Sequence, residues 1–199
     1  MKKNIAILGA GGNCVVVIDL IDLNKYNIVG IYDDNKKGFF LGHKILGRID
    51  ELDPNIDNYI ISIGNDKIRE IIYNKFKNLN WCTLIHPSSI IAKNAIIGKG
   101  SIICAGSVIQ PLAVIGKQCI INTNCNIDHE SIIEDFCSIC PGVTICGQVK
   151  IGRLCFVGAN STIINNIDIG NNSIIGAGAV IIRNVSHNSK VVGNPGKIK

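Results

Sequence analysis

The chain has 199 residues, a net charge of +5, 47% hydrophobic residues and 5% aromatics. That length makes one large or two small domains whose core needs no disulfide staples. The lysines are scattered, no run of about 18 apolar residues occurs, and the nine cysteines are odd in number, so no nucleic-acid footprint, membrane span or secreted disulfide framework is expected.

Lys2 and Lys3 precede an apolar run, but Gly9, Gly11, Gly12 and Asn13 break it. No targeting segment is expected, and reduced thiols point to the cytoplasm. "NIAILGAGG" reads as a short apolar strand entering a Gly-rich turn, and "CVVVIDLIDL" has helical spacing. "YNIVGIYDD" is a second strand ending in Asp33 and Asp34; "NYIISIGN" is a third ending in Gly64 and Asn65. "DKIREIIYNKF" is an amphipathic helix with Ile68, Ile71 and Ile72 on its apolar face. Alternating strands and helices predict an α/β, Rossmann-like domain with a short parallel sheet over residues 1–82. In "GAGGNC", Cys14 stands where the dinucleotide fingerprint has its third glycine. Asp33 still lies 24 residues past Gly9, where an acid commonly meets a ribose hydroxyl.

"LNWCTLIHPSS" joins this to a different pattern, with His86-Pro87 as a cap on the start of its first coil. From residue 91 to 181 an aliphatic residue recurs every six positions through sixteen slots, all Ile except Val157. Four residues after each slot the side chain is usually small: Ser or Ala at eight, Cys at four (Cys119, Cys125, Cys137, Cys155). Gly, Asn and Pro between them suit tight turns. A six-residue period held this long predicts a parallel β-helix of hexapeptides. Three hexapeptides would close one triangular coil, and neighbouring coils would satisfy the backbone hydrogen bonds.

Ile127 points inward in this phase, so His129 and Glu130 fall at a turn and project from an edge. Histidine suits a general base because its ordinary pKa of ~6.5 is near working pH, and an adjacent carboxylate can hold its tautomer. A surface-turn histidine without a role fits the same spacing. Cys137-Ser-Ile-Cys140 spells C-x-x-C, but both cysteines fall in repeat slots that take small residues, which favours a structural reading. The four histidines, at 43, 86, 129 and 187, do not cluster, so no metal site is expected.

"GAGGN", "YDD", "SIGN", "LIHPSSII", the hexapeptides, "DHE" and "VVGNPGK" together resemble the NeuD/PglD-like sugar acetyltransferases. The likeness is nearest to the bacillosamine- and perosamine-type N-acetyltransferases. It implies a left-handed β-helix over residues 83–199, acetyl-CoA as co-substrate without a metal, and a homotrimer with sites between prisms. It implies a nucleotide-linked amino sugar as acceptor. By the same resemblance His129 is the general base, Glu130 its supporting carboxylate, and the Gly147 N–H the donor to the thioester oxygen. Ser138, Gly147, Ala159 and Ala177 fall at the coenzyme positions. Gly11, Gly12 and Asn13 would face the sugar or phosphate; Asp33, Asp34, Gly64 and Asn65 would meet the nucleoside. The family often has a histidine where this chain has Asn13, and the bacillosamine type has another where it has Ser138. Both changes bear on the identity of the sugar. Sugar O-acetylation and a non-catalytic nucleotide-sugar-binding scaffold are the alternatives.

Overall fold

The computed structural model describes residues 1–199, which form two compact units, Met1–Leu84 and Ile85–Lys199. The division falls just past the one read from the sequence, inside the short strand Leu84–Ile85.

The first unit is a five-stranded sheet with two helices. Its elements are β1 (Lys3–Leu8), α1 (Gly12–Leu20), β2 (Tyr26–Tyr32), β3 (Phe39–Phe40), β4 (His43–Gly47), β5 (Asn58–Ile61) and α2 (Asp66–Lys75). The strand order is β3-β4-β2-β1-β5. All pairs are parallel except β3–β4. Ile5–Leu8 and Tyr59–Ile61 are fully buried, as central parallel strands with both faces covered must be.

Two expectations need correction here. The strand "NYIISIGN" is the fifth strand in the chain, because an unforeseen hairpin, β3–β4, precedes it. Its turn places Leu41 and Gly42 at positive φ (48° and 79°), the geometry of a tight hairpin that normally advertises itself with Asn-Gly. In α2 only Ile72 turns into the core; Ile68 and Ile71 are exposed. The inward face of α2 is completed by Arg69, which is 1% exposed and paired with Asp66.

The second unit is a parallel β-solenoid built from three sheets of six, five and eight strands. Up to the last coil each two-residue strand pairs with the one 18 residues on, for example Val108–Ile109 with Asn126–Ile127, whereas Ile174 pairs with Lys190, 16 residues on. The six-residue phase is therefore the coil phase. Fourteen of the sixteen aliphatic slots, Ile103 to Ile181, are buried, and Ile91 and Ile97 pack against them. Each buried Ile contributes about 1.5–3 kcal/mol of transfer free energy. Where Ser or Cys fills the small slot it bonds the neighbouring turn, as in Ser131 Oγ to Cys146 O (2.8 Å) and Cys137 Sγ to Gly152 O (3.1 Å). Cys137 occupies that slot, but Cys140 sits at a turn and is half-buried, so the C-x-x-C pair divides between core and edge.

The third residue after the inward Ile is the turn residue with positive φ: Asn124, Asn160, Asn166 and Asn172, and also Leu112, Glu130, Phe136, Gln148 and Leu154. Gly and Asn take this conformation readily; the others pay for it. His86 opens the first coil, with its N–H on Ile103 O and its Nδ1 2.8 Å from Ser88 Oγ. No helix is long and apolar enough to cross a membrane.

Candidate active site

In the first unit a cavity of about 500 Å³ opens at the carboxyl ends of β1, β2 and β5. Parallel sheets bind ligands at this end. Gly9, Gly11, Gly12 and Asn13 line one side, Asp33 and Asp34 another, and Gly64 a third. Asn65 does not line it; its side chain caps α2 by accepting from Ile68 N (3.1 Å). Ile49, Ile63, Ile68, Ile71 and Phe76 make much of the rest of the lining apolar, with Asp50 and Lys75 beside them. This explains why Ile68 and Ile71 are not in the core.

Asp33 is fully engaged by the protein. Its Oδ2 accepts from Ala10 N (2.7 Å), and its Oδ1 from Asn35 N and Lys36 N (2.9 and 2.8 Å). Burial works to raise its pKa, but these three N–H groups and the Lys36 ammonium outweigh it, and the net shift is downward. Asp33 thus ties the Gly-rich loop to the end of β2. Asp34 accepts from Ile49 N (3.0 Å) through one oxygen only and stays exposed. At Gly9 a Cβ would strike Ile63 at 2.5 Å, so packing demands that glycine. At Gly11 and Gly12 a Cβ would meet no protein atom within 4 Å. Behind the cavity, Arg69 Nη1 donates to Ile63 O and Gly64 O (3.1 and 2.9 Å), fixing the loop after β5.

In the second unit His129 and Gly147 are one coil apart on the same edge, between the six-stranded and five-stranded sheets. His129 Nδ1 lies 3.1 Å from Glu130 Oε2. That contact assigns the proton to Nδ1 and leaves Nε2 as the basic nitrogen. Nε2 lies directly over Gly147: an added Cβ there would stand 2.6 Å from both Nε2 and Cε1. The Gly147 N–H donates to no protein group. The ring and the carboxylate are half exposed, at 54% and 46%, so a substrate can reach them. Asp128 Oδ1 accepts from His129 N (2.8 Å) and fixes the turn. Beside this edge, Val108, Gln110, Asn126, Asp128, Thr144 and Cys146 line a groove of about 210 Å³.

A single chain does not gather all the expected residues. Ala159 and Ala177 stack on another edge, between the eight-stranded and six-stranded sheets. Ser138 lies within a strand of the eight-stranded sheet and is buried. One residue escaped the sequence reading. Gln148 Nε2 donates to Glu130 Oε2 (3.1 Å), and Gln148 N to His129 O (2.9 Å). The 18-residue coil repeat places 148 beside 130 and could have flagged it. No group of three His, Cys, Asp or Glu side chains is placed to hold a metal ion.

Residues 4–76 match the PglD N-terminal domain family, and residues 130–165 and 148–183 match the bacterial transferase hexapeptide family. The chain is 34% identical over 108 residues to the UDP-N-acetylbacillosamine N-acetyltransferase of Bacillus subtilis, covering 49% of this chain and 50% of that protein. It spans half or less of the length of the curated relatives it matches. Among solved structures, the acetyltransferase domain of PglB from Neisseria gonorrhoeae superposes with a TM-score of 0.94 at 30% identity, covering 100% of both chains. PerB from Caulobacter crescentus, solved with CoA and GDP-perosamine, superposes with a TM-score of 0.93 at 27% identity, covering 98% of this chain and 97% of that one. With both units matched in order and a relative aligned end to end, the chain belongs to the NeuD/PglD-like family of hexapeptide-repeat sugar acetyltransferases.

Proposed function

We propose that the protein transfers the acetyl group of acetyl-CoA to the amine of a nucleotide-linked amino sugar, with His129 as general base. The observation that carries this reading is the His129–Glu130 pair seated over the Gly147 backbone. The neutral amine attacks the thioester carbonyl, and the carbonyl oxygen takes up negative charge beside the Gly147 N–H. His129 Nε2 accepts the amine proton, and Glu130 stabilises the resulting imidazolium. The C–S bond then breaks, and the imidazolium returns its proton to the departing thiolate. No acyl-enzyme is needed.

The cavity of the first unit supports the acceptor half of the reading. Bare backbone at Gly11 and Gly12, where α1 begins, suits a phosphate. The apolar wall of Ile68 and Ile71 suits a nucleobase, and Asp34 keeps one free oxygen for a hydroxyl. The separation of Ser138, Ala159 and Ala177 from His129 within one chain favours a trimer, in which a neighbour supplies the coenzyme wall. Exposed Ile90, Ile96, Leu112, Phe156, Ile174 and Ile182 on the solenoid are apolar surface for that contact. Thiol release from acetyl-CoA, measured against UDP-, GDP- and dTDP-linked amino sugars, tests the activity; sedimentation of an active monomer would remove the trimer.

A further inference from the structure

We infer that Gln148 is a positioning residue that holds Glu130 against His129; this rests on His129 as the base. Two observations carry it. Glu130 Oε2 receives both His129 Nδ1 and Gln148 Nε2, each at 3.1 Å. One oxygen therefore joins three side chains from two coils. Gln148 N also donates to His129 O at 2.9 Å, so the same residue fixes the backbone that carries the ring. Its positive φ of 59° is shared with Leu112, Phe136 and Leu154 in the same turn slot, so the side-chain contact to Glu130 is what sets Gln148 apart.

The second bond acts by limiting the freedom of the Glu130 side chain. Glu130 is half exposed, and an exposed carboxylate on a flexible stem loses its partner readily. A second bond to the same oxygen narrows its rotamers to those that face Nδ1. The proton then stays on Nδ1, and Nε2 keeps its lone pair toward the acceptor. Pre-organisation of this kind acts on turnover and leaves substrate affinity alone.

Three variants separate this role from packing. Gln148→Glu is isosteric but cannot donate and repels Glu130. Gln148→Asn is too short to reach the carboxylate yet suits the turn. Gln148→Ala removes the side chain. All three should lower kcat about tenfold with KM for acetyl-CoA unchanged, with Gln148→Glu at least as poor as Gln148→Ala. Gln148→Asn should raise the thermal midpoint while losing turnover. GDP-perosamine and the UDP-linked amine acceptor of the Bacillus-type reaction are the probes. A second readout needs no acceptor: ¹⁵N spectra of the histidine side chains should show His129 mainly protonated at Nδ1 in the wild type and a mixed tautomer in Gln148→Glu and Gln148→Ala. Wild-type kcat and an unchanged tautomer in Gln148→Glu would overturn the inference. If His129→Ala is inactive while the Gln148 variants behave as wild type, only the positioning role fails. If His129→Ala keeps full turnover, the base assignment fails first.

Discussion

Gly147→Ala isolates the geometry of the site with a single methyl group. The backbone at Gly147 does not need positive φ, so alanine is allowed there on conformational grounds. The nearest obstacle is the ring of His129, whose Nε2 and Cε1 would lie 2.6 Å from the new Cβ. Ordinary contact requires the ring to recede by about 1 Å, and misplacement on that scale costs on the order of 10²-fold in rate. Since each tenfold is 1.36 kcal/mol, the barrier should rise by about 2.7 kcal/mol. The ring is half exposed and can swing outward, so folding stability should change by less than about 0.5 kcal/mol. Swinging it stretches the 3.1 Å contact to Glu130, so the tautomer loses its support as well. The assay is steady-state thiol release, paired with a thermal melt and with the double variant His129→Ala/Gly147→Ala. If the methyl acts through the ring, the double variant is no worse than His129→Ala alone. Wild-type turnover in Gly147→Ala would refute the placement of Nε2 over the Gly147 backbone, and full additivity would show that the methyl acts elsewhere.

Asp33→Asn should destabilise the first unit by about 1–3 kcal/mol, because an amide cannot accept on both sides from Ala10, Asn35 and Lys36. The Asp33 pKa is lowered in the fold. Its stabilisation is therefore present above the unfolded value of about 3.9 and is lost as pH falls through the folded value. Urea unfolding followed by the single Trp81 should show a shallower loss of stability below about pH 4 in Asp33→Asn than in the wild type. Ile71→Asp, at a site 65% exposed, should leave stability within about 0.5 kcal/mol. It should weaken nucleotide-sugar binding about tenfold with coenzyme A binding intact, which calorimetry can read; wild-type affinity for both would separate the apolar wall from the acceptor. Burial pushes the Cys104 thiol up to about 11 and Cys125 up to about 12, and raises Cys137 well above its usual range. Iodoacetamide near pH 8 should therefore label the half-buried Cys140 and Cys146 before the seven buried cysteines, as peptide mass mapping would show.

The solenoid was legible because one side chain in six does one job. Each Ile must turn inward, a slip of one residue would expose it, and no insertion disturbs the phase. The family resemblance pointed to Gly147, and the 18-residue coil is what sets His129 over it. Contacts that use flexible polar side chains at turns were harder. Gln148 looks like any exposed turn residue until its Nε2 is seen on Glu130. In the first unit, Leu41 in a turn slot usually held by Asn hid the β3–β4 hairpin. The periodicity of α2 showed that Ile68, Ile71 and Ile72 share a side, but periodicity cannot say whether that side meets a core or a cavity wall. Asp33 was legible as the acid ending β2. The three N–H groups that occupy it come from a loop geometry that no spacing rule encodes.

The most direct test is acetyl transfer itself. Purified protein is incubated with isotopically labelled acetyl-CoA and the UDP-, GDP- and dTDP-linked amino sugars, and the products are read by mass spectrometry. One acceptor should gain a single labelled acetyl group on its amine. His129→Ala, folded as the wild type, should form that product on the order of 10²–10⁴-fold more slowly. Labelled product formed at the wild-type rate by His129→Ala, or no acetylated amine with any acceptor, would contradict the account.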